Sequence, residues 1–318
     1  ARLIPTRTNH PLLGGTVASP LKIYQIDLDL TVQPWLADHR ILDFTPLPAA
    51  GFIELAIAAG REALGHECSL RELSIDEALM LPSEGAVTVQ VIVTPERDAN
   101  RVQVFSRSSG SVADAWRLHV SGVLTRKLDV PASEAAGLVF KADGAVTSEN
   151  ATSYYGRLAA TGAQYGPSFR GVASMVRDQR RVFGQIQLPE PAAREANRYL
   201  MHPGLLDSCI QLIGAVLLDD EENPTYLPVG VDSYNLFRAG VSGGQCFVSV
   251  NASPDGSSLT SDFVLMSDDG AAIAHVAGLR LRRVTRAGLS SVAGAKSDVQ
   301  NTFELAWEAS APPAPAPT

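Results

Sequence analysis

The sequence predicts an α+β protein of two similar halves, each a curved antiparallel sheet wrapped around one buried helix. Three observations carry this reading. Each half holds one long apolar stretch with helical spacing. In each half strand-like runs follow that stretch, cut by Pro, Gly, Asp and Asn. Finally, RLHVSGVLTR near the end of the first half resembles AIAHVAGLRLRR near the end of the second, with His119 and His275 in matching places. An apolar helix and a half-buried sheet each need a partner layer, and each half supplies both.

In chain order, Tyr24–Val32 reads as a short strand pair. Pro48 is expected in the first helical turn, where its missing N–H costs nothing. AAGFIELAIAAGREAL follows, with Phe52, Leu55, Ala56, Ala59 and Leu64 at helical spacing. LRELSIDEALML, AVTVQVIVTP, RVQVFSRS and AWRLHVSGVLTR then read as strands. In the second half, GVASMVRD and RVFGQIQLP precede a helix that starts near Pro203 in HPGLLDSCIQLIGAVLL. YLPVGVDSYNLF, QCFVSVNAS, SDFVLMSD and AAIAHVAGLRLRRV complete the strands. The expected organisation is an N-terminal lobe over 1–126, a connector over 127–148, a C-terminal lobe over 149–288 and a linker over 289–318. The Pro/Ala-rich SAPPAPAPT is linker-like, and the apolar NTFELAWEAS before it reads as the start of a further element, as in a chain cut from a longer polypeptide.

With 318 residues the chain exceeds one small core. A 45% hydrophobic and 19% charged composition is that of a soluble globular protein. The net charge of -8, without a basic stripe, argues against nucleic-acid binding. No apolar run reaches the roughly 18 residues of a membrane span, and ARLIPTRTNHPLLGG lacks the apolar core of a signal peptide. Cys68, Cys209 and Cys246 are odd in number and far apart, which fits neither a disulfide framework nor a Cys-x-x-Cys metal site. A reducing cytoplasm is the expected compartment.

Two polar residues stand out in apolar surroundings. A lone histidine such as His39 is most often a packed core or loop residue. Yet His39 precedes a proline-fixed helix start, whose outward N–H groups carry partial positive charge. A base beside such donors suits abstraction of a proton alpha to a carbonyl. Asp207 lies among Leu205, Leu206, Cys209, Ile210, Leu212 and Ile213, where a carboxylate is costly unless paired or protonated. Gln211 follows at i+4 on the same face. This is either a structural Asp–Gln pair or a general acid with a raised pKa. In QYGPSFRGV, Tyr165 either donates into a cleft or belongs to a plain turn anchored by Phe169. His10, His202, His119 and His275 read as structural, and His66 beside Cys68 lacks further ligands for a metal. The basic RLRRV run and the acidic run at 219–222 read as solvated.

Together these segments carry a resemblance. DHRILDFTPLP resembles the His-x-x-x-Gly-x-x-x-x-Pro signature of dehydratase domains of modular type I polyketide synthases, with His39 at the His and Pro48 at the Pro. The stretch 165–169, YGPSF, is similar to the family's Tyr-Gly-Pro-x-Phe motif. HPGLLDSCIQ at 202–211 resembles its His-Pro-x-x-x-Asp-x-x-x-Gln motif, and HPLLG at 10–14 its usual opening. The motifs stand in family order over most of residues 10–285.

The resemblance implies a double hot-dog fold with His39 and Asp207 facing each other across a tunnel. His39 would abstract the alpha proton of a (3R)-3-hydroxyacyl thioester held on the phosphopantetheine of an acyl carrier protein. Protonated Asp207 would protonate the departing hydroxyl, with Gln211 and Tyr165 orienting both. Leu47, Gly166, Pro167, Phe169 and Leu206 are expected to line the tunnel. Neither metal nor nicotinamide is implied. The implied partners are the carrier protein, neighbouring synthase domains and a second copy in a homodimer, with no nucleic acid and no membrane. One position departs from the family: its Gly is Asp43 here. That residue's N–H would polarise the thioester carbonyl. Asp tolerates left-handed backbone, but its carboxylate must point away from a developing oxyanion. Two alternatives accompany the dehydratase reading. One is a dehydratase–cyclase that closes an oxygen heterocycle by oxa-Michael addition. The other is a non-catalytic scaffold or docking domain. Family variants that only shift double bonds lose the acid or its Gln partner, and both are present here.

Overall fold

A computed structural model of the protein describes residues 7–110, 114–127, 147–178, 180–217 and 224–285. The expected linker 289–318, nearly all of the connector 127–148 and the acidic run at 219–222 lie outside the described residues.

The first half runs β1 (Gly15–Thr16), β2 (Lys22–Asp29), β3 (His39–Ile41), α1 (Ala49–Leu64), β4 (Cys68–Ile75), β5 (Ala86–Pro95), β6 (Asn100–Ser108) and β7 (Arg117–Arg126). The second runs β8 (Thr147–Asn150), α2 (Ala151–Ala160), β9 (Ala163–Tyr165), β10 (Val172–Arg177), β11 (Arg181–Gln187), α3 (Pro203–Leu217), β12 (Thr225–Leu236), β13 (Gly243–Ala252), β14 (Ser258–Met266) and β15 (Ala272–Val284). Strands form where β-branched residues alternate with polar ones. Val89, Val91 and Val93 of β5 are buried and pair with β6 in a register that sets Val91 against Val104 and Val93 against Val102.

Among the described residues, thirteen strands make one antiparallel sheet, ordered β1-β2-β5-β6-β7-β4-β12-β15-β14-β13-β11-β10-β8. Outward from the β4–β12 seam, the order is β4, β7, β6, β5, β2, β1 on one side and β12, β15, β14, β13, β11, β10, β8 on the other. The two series match in chain order, so the topology bears out the internal duplication. His119 on β7 and His275 on β15 occupy equivalent strands. Instead of two separate sheets, however, the halves share one sheet through the seam, where Val231 faces Leu73 and Tyr234 faces Leu70.

Each half of the sheet wraps one helix. α1 packs on β4, β5, β6 and β7, while α3 packs on β10, β11, β13 and β14, and the two helices touch. Every residue of α1 from Ala49 to Gly60 is buried, as expected for a helix that is apolar all round. It ends at Gly65, whose φ of 71° gives the left-handed cap that returns its N–H to the Arg61 carbonyl at 2.9 Å. No single helix among the described residues is long and apolar enough to cross a membrane.

Several expectations need correction. Tyr24–Val32 is not a strand pair: β2 ends at Asp29, whose carboxylate and carbonyl accept the N–H groups of Thr31 and Val32 and turn the chain. β4 takes only the first part of LRELSIDEALML. Pro48 is the N-cap, with φ −63° and ψ 151°, and the helix proper starts at Ala49. β8 begins at Thr147, inside the stretch read as connector. The second half also holds a helix, α2, that the sequence reading passed over. Its cap was legible: Asn150 accepts the N–H of Ser153 at 3.0 Å.

Candidate active site

His39 opens β3 directly after a 3-10 turn over Pro34–Asp38. β3 pairs with β9 in a separate two-stranded ribbon that sets His39 opposite Tyr165. Asp38 locks this ribbon: its carboxylate accepts the Ser168 N–H at 2.9 Å and its carbonyl accepts the Gly166 N–H at 2.7 Å. Gly166 is needed there because a Cβ would overlap the Asp38 side chain. The His39 ring is 6% exposed and packs against Phe169 and Tyr165, with centroids 5.2 and 5.7 Å away. Its Nδ1 lies 3.0 Å from the Pro46 carbonyl. A carbonyl only accepts, so Nδ1 carries the proton and Nε2 presents a lone pair. That Nε2 stands 3.8 Å from Oδ1 of Asp207.

Asp207 projects from the second turn of α3 and is 4% exposed. The helix start is built around His202, whose carbonyl accepts the Leu205 N–H at 2.9 Å and whose Nδ1 accepts the Gly204 N–H at 3.0 Å. Burial lowers the His202 pKa to about 4, so it stays a neutral acceptor. Gln211 donates from Nε2 to Asp207 Oδ2 at 2.8 Å and to the Phe169 carbonyl at 2.9 Å. Its Oε1 accepts from the Tyr155 hydroxyl at 2.9 Å, and that hydroxyl accepts the Val172 N–H at 2.9 Å. The donor order along this chain is therefore determined. Oδ2 of Asp207 is an acceptor, so a protonated Asp207 holds its proton on Oδ1, the oxygen that faces His39. Burial raises the Asp207 pKa, while the nearby His39 and the Gln211 bond pull it partly back.

A cavity of about 1000 Å³, open mouth included, lies between the two lobes. His39, Tyr165, Asp207 and Gln211 line it, together with Pro48 and Ala49 at the N-terminus of α1. Of the expected wall residues, Leu47 is there. Gly166, Pro167, Phe169 and Leu206 are not. Phe169 and Leu206 are fully buried in the packing behind the wall, Gly166 braces the ribbon against Asp38, and Pro167 opens the 3-10 turn that follows it.

Tyr155 of α2, which the sequence did not single out, supplies the hydroxyl that holds Gln211. Tyr165 lines the cavity, and its hydroxyl takes no hydrogen-bond partner among the described residues. Asp43 sits in a two-residue turn closed by Ile41 and Phe44, which exchange backbone bonds of 2.9 and 3.0 Å. Leu42 and Asp43 have φ of 49° and 75°, the conformation in which the second position favours Gly, with Asp among its few substitutes. Asp43 is exposed and is not part of the cavity wall, so its carboxylate stays away from the His39–Asp207 pair.

Glu54 was also passed over, although its setting in the apolar α1 is the signal that singled out Asp207. It is 2% exposed and accepts the N–H groups of Leu200 and Met201 at 2.7 and 2.9 Å and His10 Nε2 at 2.8 Å. This carboxylate ties the N-terminal segment and the loop before α3 to α1.

Two helix-wrapping halves that share one sheet form an architecture seen in known proteins. Residues 10–107 match the family described as "Polyketide synthase dehydratase domain", and residues 136–291 match "Polyketide synthase dehydratase N-terminal domain". Polyketide synthase GfsA of Streptomyces halstedii is 32% identical over 311 residues, covering 96% of this chain and 4% of that protein. Mycoketide-CoA synthase of Mycobacterium tuberculosis is 34% identical over 312 residues, covering 94% of this chain and 7% of that protein. The chain thus spans a small fraction of the length of the curated relatives it matches. Among solved structures, the bifunctional dehydratase-cyclase domain in ambruticin biosynthesis superposes with a TM-score of 0.78 at 27% identity, covering 90% of this chain and 99% of that one. The dehydratase domain from the CurK module of curacin polyketide synthase gives 0.75 at 26%, covering 88% and 99%. The fold is the double hot-dog, and the chain belongs to the family of type I polyketide synthase dehydratase domains.

Proposed function

We propose that this domain removes water from a (3R)-3-hydroxyacyl thioester on the phosphopantetheine of an acyl carrier protein, within a homodimeric cytoplasmic synthase whose neighbouring domains supply and consume the acyl chain. One observation supports this reading above the others. Two opposed side chains, one from each proposed lobe (1–126 and 149–288), have complementary proton inventories: a lone pair on His39 Nε2 and a proton position on Asp207 Oδ1, 3.8 Å apart. Nε2 takes the alpha proton, and that electron pair becomes the new double bond. The β C–O bond breaks and Oδ1 delivers its proton to the leaving hydroxyl, releasing water. Return of the proton from Nε2 to Oδ1 restores the starting state. The N-terminus of α1 at Pro48 and Ala49 carries the positive end of a helix dipole and stabilises the negative charge that develops on the thioester oxygen. Tyr165 offers its hydroxyl to the substrate hydroxyl.

The test is to load a carrier protein with (3R)-3-hydroxyacyl chains of several lengths and weigh the acyl group by mass spectrometry. Loss of one water, abolished in His39→Ala and Asp207→Asn, is the expected result. A folded domain that leaves every chain unchanged would overturn the reading in favour of a scaffold domain.

A further inference from the structure

Beyond the His39–Asp207 pair, the cavity continues along α3. Asp207, Ile210, Gln211, Gly214 and Leu217 all line it and recur at three- and four-residue spacing, so they form one stripe of the helix. From Asp207 to Leu217 this stripe spans about 15 Å at 1.5 Å per residue. The facing wall is Leu158 of α2 with Tyr226, Leu259 and Leu281 of the second-half sheet.

This stretch is apolar in character even where its residues are not. Three hydroxyls line it, and each already donates to a backbone carbonyl: Thr161 to Leu158 at 2.8 Å, Thr225 to Thr161, and Tyr226 to Gly256 at 2.6 Å. None of these protons is left for an acceptor on a bound chain. The amide carbonyls of a pantetheine arm would find no hydroxyl donor here, whereas an alkyl tail needs none.

Gly214 is the anomaly in the wall. Glycine inside a helix costs roughly 1 kcal/mol relative to alanine. Backbone geometry does not demand it here, because Gly214 has no positive φ. An added Cβ would meet only the Leu158 side chain at 3.0 Å and the Tyr154 hydroxyl at 3.5 Å. A side chain at 214 would therefore press on Leu158, and both residues bound the same cavity. We propose that Gly214, facing Leu158, is the specificity-determining residue that keeps this arm of the cavity wide enough for an extended, unoxygenated acyl tail beyond the reacting carbons. The proposal rests on the dehydratase reading for the identity of the chain.

Calorimetric binding separates the two claims, because it needs no turnover. Butyryl-pantetheine and dodecanoyl-pantetheine would be titrated into the wild-type domain and into Gly214→Ala and Gly214→Leu, with circular dichroism confirming the fold of each. The butyryl ligand should lose less affinity than the dodecanoyl ligand in both variants. The dodecanoyl ligand should lose affinity severalfold in Gly214→Ala and about tenfold or more in Gly214→Leu. Dehydration of the two 3-hydroxyacyl forms should follow the same split. Equal effects on both chain lengths, or none on the long one, overturn the role of Gly214. Length-selective binding without water loss in the wild type leaves the tail site standing and removes the dehydratase reading.

Discussion

The two core helices each bury one carboxylate in an apolar setting, and the two are wired differently. Glu54 on α1 accepts three hydrogen bonds, from Leu200, Met201 and His10. The His10 ring can donate because its Nδ1 already accepts the Leu12 N–H at 3.2 Å. Asp207 on α3 accepts one side-chain bond, from Gln211, and faces an imidazole too distant to bond it. A buried charge is tolerable when donors surround it and expensive when they do not. Glu54 is thereby a cross-link between segments. Asp207 is left short of donors, and burial pushes it toward the protonated form that an acid catalyst needs. The same residue chemistry on equivalent helices yields a staple in one lobe and, in the other, the carboxyl group proposed as the acid, and the number of donors sets them apart.

The sharpest way to break this comparison is Asp207→Asn. Dehydration should fall about a thousandfold or more, while the protein becomes more stable at neutral pH. The sign follows from the raised pKa of Asp207. As pH rises above the ordinary carboxylate value, the unfolded chain releases its proton before the folded one does. Wild-type stability therefore falls through that window up to the folded pKa. Asn carries no such penalty, so thermal melts should show the variant above wild type at neutral pH, with the gap narrowing on acidification. A lower melting temperature at neutral pH would show that Asp207 is a structural anion after all. Wild-type kcat/KM should decline on the alkaline side as Asp207 loses its proton.

Glu54→Ala should do the opposite. It strands the Leu200 and Met201 amides and the His10 ring, and should cost about 3 kcal/mol in urea unfolding. Glu54→Gln, which still accepts, should lose less. A smaller effect at Glu54 than at Tyr155 would end its role as a staple.

Tyr155→Phe sharpens the contrast. It removes the hydroxyl that holds Gln211, with about 1 kcal/mol of stability. A positioning role predicts roughly a tenfold fall in kcat with KM little changed and an alkaline limb of the pH profile that moves. Loss of stability alone would leave activity and profile where they were.

His39 stood out because it precedes a proline-fixed helix start, and Asp207 and Gln211 because they share one face of an otherwise apolar helix. Glu54 bears that same mark and was passed over, since its partners come from residues far along the chain. Tyr155 was hidden for a related reason. Only the packing of α2 under the Phe169 turn brings its hydroxyl to Gln211. The expected wall failed at Gly166, Pro167, Phe169 and Leu206, because closeness in sequence to a reactive residue does not place a side chain on the cavity side of it. Asp43 keeps its carboxylate off the cavity wall, as the sequence required of it, because the turn at Leu42 and Asp43 sets its direction.

What the chain spells out locally is the pair of buried helices, most of the strands, the duplication and the candidates proposed as base and acid. These depend on periodicity, caps and turn chemistry within a few residues of each position. Tertiary structure decided the shared sheet across β4 and β12, the 3.8 Å between His39 and Asp207, the oxygen of Asp207 that accepts from Gln211 and the residues that form the cavity. Each of these depends on atoms brought together from opposite halves of the chain, and on a burial that exists only once both lobes have closed around the site.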